Sequence, residues 1–516
     1  MPDAPEKPLI LVTGATGYVG GRLVPELVAA GYRVRVMTRD PRRLKDRLRR
    51  WGPDVHAVSA DVFDYATLRE ACRGVSVAYY LVHSMTEGAG FEIRDIQGGR
   101  NFALACEDCG VQRIVYLGGL GSDHAVDLSP HLRSRHEVGD ALRAFSVPVT
   151  ELRAAIIIGS GSASFTIIRD LVRKLPIMIT PAWVRSRCEP IAIRQVLAYL
   201  VGVLREPRTV GETLEIGGGY TMTYEEMLVQ AAEAMRCRTR IVRIGMLSPR
   251  ISSYWLNLFT DVPFQLAKAL VEGLRNDVVT SDQRIREWIP VPDLTYREAV
   301  ELALKRIERG DVPTRWFDRN TLPSLDLFNL DMRVLFSDRR RRVTPVPPAK
   351  LFEVVKSIGG KTGYYYGNWL WTLRGWLDRL VGGVGMRTGR IHPEDLAVGD
   401  PVDFWRVEDL EEDRLLRLRA EMKVPGIALL EFRLRPRRDG KPGTEIVQLA
   451  RYWPNGGIWG RLYWYGVLPL HGFVFNGMLN GIVREAERRH AGEAPCSERA
   501  PLLRHPRLPK EDYPRS

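Results

Sequence analysis

Leu9-Ile10-Leu11-Val12-Thr13-Gly14-Ala15-Thr16-Gly17-Tyr18-Val19-Gly20-Gly21 is the stretch that decides the fold. Four apolar residues predict a buried strand, and the glycine-rich turn opens straight into the helical pattern Leu23, Leu27, Val28. Glycines at 14, 17 and 20 let the backbone turn tightly, let a pyrophosphate approach the amide N–H groups, and let helix pack closely on strand. A second strand, Tyr32 to Thr38, arrives at the spacing of a βαβ unit. Strand, turn and helix agree on a dinucleotide site lined by Thr13, Gly14, Thr16, Gly17, Tyr18, Val19 and Gly20.

The chain has 516 residues, too many for one ordinary core, so two or three domains are expected. Hydrophobic content of 45% and charged content of 27% describe a folded chain rather than a disordered one. The net charge of +13 suits phosphorylated cofactors or anionic surfaces. The excess arginine is scattered, without the aromatic-interleaved patches or zinc-finger spacing of a nucleic-acid module, so no nucleic-acid partner is expected. Six cysteines in so long a chain are no disulfide framework. Cys106 and Cys109 form one C-x-x-C inside a helical stretch with no second pair nearby, which reads as buried thiols and no metal site. Met1 to Lys7 is short and polar, without the features of a signal peptide, so a reducing cytoplasm is the expected compartment.

Strands follow at Val55 to Val58, Tyr79 to Val82, Ile114 to Leu117 and Val149 to Ile158, each separated by helical periodicity. This alternation predicts an α/β, doubly wound parallel sheet of the Rossmann type, with ligands at the strands' carboxyl ends. Asp61, Val62, His83, Ser84 and the Gly118-Gly119 turn then fall around the cofactor. The second strand ends in Thr38-Arg39, where an arginine accommodates the 2′-phosphate of NADP. Arg42 and Arg43 stand as helpers, while Asp40 beside them leaves NAD open.

Thr13-Gly14-x-x-Gly17-x-x-Gly20, Arg113-Ile114-Val115-Tyr116-Leu117 and Leu152-Arg153-Ala154 together resemble the atypical, extended short-chain dehydrogenase/reductases, including the nitrogen-metabolite-repressor-like proteins. The resemblance spans about residues 8 to 310. It implies that the positions matching Gly14 to Gly20, Arg39 and Asp61 contact the cofactor, with Asp61 near the adenine. It also implies a Tyr-x-x-x-Lys pair after the fifth strand, where tyrosine exchanges the proton and lysine lowers its pKa. This chain departs from that pattern. In Ser129-Pro130-His131-Leu132-Arg133-Ser134-Arg135, His131 takes the tyrosine position and Arg135 the lysine position. Gly119 stands where a hydroxyl residue is expected, with Ser122 three residues on. Histidine can give a proton near neutrality and arginine cannot. His131 is therefore a substitute general acid, or the step has been lost and His131 is a surface histidine.

Beyond Gly159, Ser160 to Pro190 is the expected substrate lid, where Trp183, Arg185 and Arg187 offer an aromatic and cationic surface. Helical patterns at Ile193 to Leu204, Tyr224 to Met235, Tyr254 to Leu274 and Tyr296 to Ile307 complete a small cap. Residues 1–310 thus form the NAD(P)-binding domain with its cap, and 311–329 a linker.

Composition changes after the linker: eight of the twelve tryptophans lie beyond residue 315. A strand, two helices, alternating segments from Val402 to Trp453 and the long apolar run Ile458 to Val483 follow. That order over residues 330–490 resembles the α+β helix-grip fold of the polyketide-cyclase and START-like superfamily. The resemblance implies a sheet wrapped on the last helix around an apolar cavity for a small hydrophobic molecule. A filled core is the alternative. Residues 491–516 read as a polar tail. Leu462 to Val483 carries no formal charge over 22 residues, a length that suits either a buried helix or a membrane-associated one peripheral to the inner membrane.

Three functions stay open on the sequence. The first is an NADP-dependent oxidoreductase acting on a hydrophobic substrate. The second is a non-catalytic, NADP-binding sensor whose C-terminal domain binds a ligand or partner. The third is a membrane-peripheral protein anchored by residues 462–483. Substrate identity and oligomeric state are not written in the sequence.

Overall fold

The computed structural model describes residues 7–82, 91–121, 129–180, 182–243, 277–309, 312–314, 336–381, 383–386, 390, 396–437, 439–455 and 458–492. His83, Ser84, Ser122, the stretch Tyr254 to Leu274 and most of the linker and tail lie outside these residues.

The first domain is built from β1 (Leu9–Val12), α1 (Gly20–Ala29), β2 (Arg33–Thr38), α2 (Lys45–Trp51), β3 (Val55–Ser59), α3 (Tyr65–Cys72) and β4 (Val77–Tyr80). Then come α4 (Phe91–Asp108), β5 (Arg113–Gly119), α5 (Pro130–Arg143) and β6 (Val149–Ala154). After β6 the chain leaves the sheet through β7 (Ile157–Ile158), α6 (Ala163–Lys174), β8 (Ile177–Thr180), β9 (Arg187–Cys188), β10 (Ile191–Ala192) and α7 (Ile193–Gly202). It returns to the sheet edge as β11 (Thr213–Ile216).

The resulting seven-stranded sheet has the order β11-β6-β5-β4-β1-β2-β3, and every pairing in it is parallel. This is the doubly wound arrangement that the sequence predicts. All four residues of β1 are buried because helices cover both faces of the sheet. Ile10 and Val12 join the core on one face, and Leu9 and Leu11 join the other.

The strand expected to run unbroken from Val149 to Ile158 divides after Ala154. β7 leaves the sheet to pair with β10 in the cap, and Leu120 N–H donates to the Ala154 carbonyl (2.8 Å). The cap is completed by β12 (Met222–Thr223), α8 (Tyr224–Ala234), β13 (Arg240–Arg243), α9 (Arg284–Trp288) and α10 (Tyr296–Glu308). Its own core joins α6, α8 and α10 through residues such as Phe165, Met227 and Val300.

The C-terminal domain is a separate unit around an antiparallel sheet. It runs β14 (Phe336–Thr344), α11 (Pro348–Lys356), α12 (Asn368–Leu380), β15 (Pro401–Val402), β16 (Trp405–Glu411), β17 (Leu415–Ala420), β18 (Gly426–Pro436), β19 (Thr444–Pro454) and α13 (Ile458–His490). The first strand lies beside the last, giving the order β14-β19-β18-β17-β16-β15. The uncharged run at 462–483 is not one uniform segment. Val474, Phe475, Met478, Leu479, Ile482 and Val483 belong to the domain core, whereas the preceding half of α13 is largely exposed. By length and composition α13 would cross a membrane, but its second half already packs inside the protein.

Candidate functional site

Because the strands are parallel, the ends of β1, β2, β3 and β5 bring the glycine turn, Arg39, Asp61 and Gly119 to one edge of the sheet. Gly14 has φ +66°, and a Cβ there would lie 2.6 Å from the Leu81 carbonyl oxygen. A Cβ on Gly20 would lie 2.4 Å from the Gly14 carbonyl oxygen, so only glycine lets α1 begin this close to the turn. Gly17 N–H closes the turn onto the Gly14 carbonyl (2.8 Å).

Thr13 is fully buried and works within the sheet. Its hydroxyl donates to the Tyr79 carbonyl (2.9 Å) and accepts from Leu81 N–H (2.9 Å), tying the end of β1 to β4. Val19 occupies the N-cap position of α1 and accepts from Leu23 N–H (2.9 Å). No side chain among the described residues caps this helix, whereas Ser129 caps α5, Ser162 caps α6 and Thr223 caps α8. Gly21 N–H already donates to the Gly17 carbonyl (3.2 Å) and Arg22 N–H to the Val19 carbonyl (3.0 Å), so what the uncapped end of α1 offers an anion is chiefly the positive end of its dipole.

Two arginines that carry no motif signal in the sequence support this turn. Arg47 of α2 donates to the carbonyls of Ala15 (3.3 Å) and Thr16 (3.2 Å). Arg22, buried in the first turn of α1, donates from Nε to Thr314 Oγ1 (2.9 Å) and from Nη2 to the Ser160 carbonyl (2.6 Å). Thr314 in turn donates to the Tyr18 carbonyl (2.8 Å). Burial, partly offset by the Arg22 charge, pushes the Tyr18 hydroxyl up to about 12.

At the end of β2 the three arginines have different employments. Arg42 forms a two-pronged contact with Asp40, Nε to Oδ1 and Nη2 to Oδ2, each at 3.0 Å. Arg43 approaches the same carboxylate (3.8 Å) and packs against the C-terminal domain, where a Cβ on Gly399 would lie 3.3 Å from Arg43 Cγ. Burial raises the Asp40 carboxyl, but the hydrogen bonds and charges of Arg42 and Arg43 outweigh it and hold Asp40 below the usual carboxylate range. Arg39 is exposed, and its guanidinium has no partner among the described residues. One arginine is free at this corner, and the acid that could favour NAD is occupied.

Asp61 is half-buried after β3, and its Oδ1 accepts from Phe63 N–H (3.0 Å). Val62 is buried, and its carbonyl accepts from Asn101 Nδ2 (2.9 Å). Gly118 is buried in β5, where a Cβ would meet Glu151 Oε1 at 2.6 Å. Its smallness serves Glu151, a fully buried carboxylate held by Arg143 (2.5 Å) and Arg153 (3.0 Å).

The catalytic candidates lie on α5. His131 and Arg135 are both half-buried and one turn apart, so they share a helix face. The Arg135 guanidinium lies 5.8 Å from the centre of the Tyr116 ring, and the Tyr116 hydroxyl donates to the Arg135 carbonyl (2.9 Å). Tyr116 is a core residue whose burial pushes its hydroxyl up to about 12. At Gly119 a Cβ would lie 2.8 Å from Leu132 Cδ2, so a leucine fills the place of the expected hydroxyl side chain. His136 is the histidine that touches the end of β5, its Nε2–H donating to the Gly119 carbonyl (3.1 Å). In the segment expected as a lid, Arg187 is drawn to Asp277 (2.9 Å), and the Trp183 side chain lies outside the described residues.

Fold and turn together define a Rossmann-type domain in which the glycine turn leads from β1 straight into the N-terminus of α1. The family comparison falls on this same domain: residues 6–175 match the model of the NmrA-like family. Residues 332–478 match a second model, described as a protein of unknown function (DUF2867). The chain is similar to a cinnamoyl-CoA reductase 1 of Oryza sativa, at 35% identity over 23% of this chain and 36% of the rice protein. It thus spans about a third of that relative's length. It is also similar to the ceramide reductase of Caulobacter vibrioides, at 27% identity over 55% of this chain and 89% of the relative. A third relative is a (4-alkanoyl-5-oxo-2,5-dihydrofuran-3-yl)methyl phosphate reductase of Streptomyces griseus, at 26% identity over 51% and 86%.

Proposed function

We propose that the first domain binds NADP(H) and that the chain is a reductase of the short-chain dehydrogenase type acting on a hydrophobic substrate. The carrying observation is one sheet edge that holds the glycine turn, the α1 N-terminus without a side-chain cap, and the unpartnered Arg39. The pyrophosphate fits the turn and the positive end of the helix dipole, and the 2′-phosphate fits Arg39. Relatives covered over most of their length are named as reductases, which supports the same reading. Bound NADPH supplies a hydride for a carbonyl or conjugated double bond. His131 supplies the proton to the oxygen that becomes a hydroxyl, and Arg135 on the same face stabilises the negative charge building there. The test is reduction of a panel of hydrophobic carbonyls and enones by NADPH, comparing wild type with His131→Ala. The expected result is turnover in wild type and its loss in the variant, with NADPH affinity unchanged.

One observation favours the sensor reading. Leu132 closes the position of the hydroxyl side chain, and His131 and Arg135 replace the usual pair. Tight NADPH binding with no reduction across the panel would decide for it.

For the C-terminal domain, the helix-grip likeness is supported by its element order, by β14 pairing with β19, and by α13 packing over β14, β19 and α11. Within its apolar core Trp371 Nε1 and Gln448 Oε1 are buried without hydrogen-bond partners among the described residues, which suits a ligand bearing a polar group. A hydrophobic small molecule that is substrate or product of the first domain is the proposed occupant.

A further inference from the structure

We propose that the C-terminal domain docks on an anionic lipid bilayer through one continuous face made by α12 and the first half of α13. Side chains at two points join the helices, which run past each other in opposite directions. The Tyr366 ring meets Phe473 at 5.1 Å at one end, and Arg374 Nη2 donates to the Tyr463 hydroxyl (2.6 Å) further along.

On α12, Trp369, Leu373, Trp376 and Leu377 are exposed, with Val381 beyond the helix end continuing the stripe. Their spacing of four, three, one and four places them on a single face. A surface helix normally turns such a stripe inward. Here the inward face carries Trp371, Gly375 and Asp378, so the apolar side is left to the outside. On α13, Trp459 is 73% exposed, and Ile458, Leu462, Tyr465 and Phe473 continue the same surface. The second half of α13 is core, which excludes a spanning helix in this fold and leaves the first half lying along the surface.

Together the exposed apolar side chains cover on the order of 1,000 Å², above the roughly 300–600 Å² of the largest patch on a typical monomer. Three features select a bilayer as the occupant. Trp369, Trp376, Trp459 and Tyr465 stand in the face, and both residue types suit the headgroup boundary with an apolar body and a polar tip. No acidic side chain is exposed among the described residues of 369–381 and 458–473; Asp378, the acid within them, is buried and accepts from Gly385 N–H (2.8 Å) and Lys423 N–H (2.8 Å). The cations complement anionic headgroups. Arg461 is exposed within the patch and has no partner among the described residues, and Lys423 Nζ sits on the Val381 carbonyl (2.9 Å) at the patch edge. Docked this way, the domain would exchange a hydrophobic molecule with the bilayer without crossing water.

The test uses the full chain sedimented with vesicles of phosphatidylcholine alone and of phosphatidylcholine mixed with phosphatidylglycerol. Light scattering gives the oligomeric state in solution. Wild type should pellet with the anionic vesicles, and Trp376→Glu/Trp459→Glu should lower the bound fraction at least about tenfold. Arg461→Glu/Lys423→Glu should remove the preference for phosphatidylglycerol. Both variants change exposed side chains, so their thermal transitions and NADPH binding should match wild type, and a variant that fails this control is replaced by Leu373→Gln/Leu462→Gln. Wild type remaining in the supernatant with both vesicles overturns the proposal. A wild-type dimer that becomes monomeric in the tryptophan double variant overturns it as well, and assigns the face to a second copy of the chain.

Discussion

Leu132 Cδ2 lies 2.8 Å from the point where a Cβ on Gly119 would stand. The departure from the reductase pattern at 119 is thus matched by a packing change on α5, and restoring one residue alone meets a filled space. Gly119→Ser should destabilise the protein by about 1–3 kcal/mol, read as a lower urea midpoint. Gly119→Ser/Leu132→Ala should recover part of the loss. Equal midpoints for both variants would show that Leu132 is not what excludes a side chain there.

Arg39→Ala tests the cofactor corner. Arg42 is committed to Asp40 and Arg43 is packed against Gly399, so no neighbour replaces Arg39 without breaking a contact. NADPH affinity should fall at least about tenfold, the loss of a charge-assisted hydrogen bond to phosphate. NADH affinity should be unchanged. A parallel fall in both would remove Arg39 from 2′-phosphate selection.

Glu151 carries a larger structural weight than its position suggests. It is fully buried beneath Gly118, with Arg143 and Arg153 on its two oxygens. Glu151→Gln takes a negative charge away from beside Arg153, whose side chain is 8% exposed. The expected cost is about 3 kcal/mol of stability by denaturant unfolding. A loss under about 0.5 kcal/mol would mean that the carboxylate's contacts are dispensable.

Tyr116 invites a catalytic reading because tyrosine is the usual proton donor in this chemistry. Its hydroxyl is buried, pushed up to about 12, and spent on the Arg135 carbonyl. Tyr116→Phe should therefore leave any turnover intact and cost about 1 kcal/mol of stability, the net value of one hydrogen bond. A turnover loss comparable to that of His131→Ala would make Tyr116 the acid.

His471 on α13 gives the C-terminal domain an acid limit. Burial lowers its pKa from 6.5 to about 4, with Asp338 opposing and Arg340 and Arg374 adding to the effect. The unfolded chain takes up the proton near pH 6.5, whereas the folded one resists until about pH 4. Stability is therefore complete above pH 6.5 and falls as pH drops toward 4, by on the order of 1–2 kcal/mol for a partly exposed group. His471→Phe should flatten that window in thermal melts. An unchanged pH profile would place the acid sensitivity elsewhere.

The parallel sheet and its glycine turn were legible in Leu9 to Gly21 because local sequence sets them. A short apolar run must be buried, and glycine alone accepts the φ and the close approach found at positions 14 and 20. The arginine at the end of β2 was legible for the same reason, since strand length places it. Which of the three arginines stays available was not, because that depends on the pairing of Arg42 with Asp40 and on Gly399 of another domain lying against Arg43. Arg22, Arg47 and His136 carry no signal either. Their partners lie up to 292 residues away, and no spacing rule connects them.

The apolar run at 462–483 shows the limit most clearly. Its composition announced burial of some kind, as hydrophobicity does. The sequence by itself therefore determined the strands, the glycine turn, the place of the arginines after β2 and the presence of a second, tryptophan-rich domain. Only the tertiary structure decided that α13 is half core and half surface, that α12 turns its apolar stripe outward beside it, and that Leu132 fills the space at Gly119. Local geometry is written in neighbouring residues. Which face meets solvent depends on what distant segments cover, and that is settled by packing.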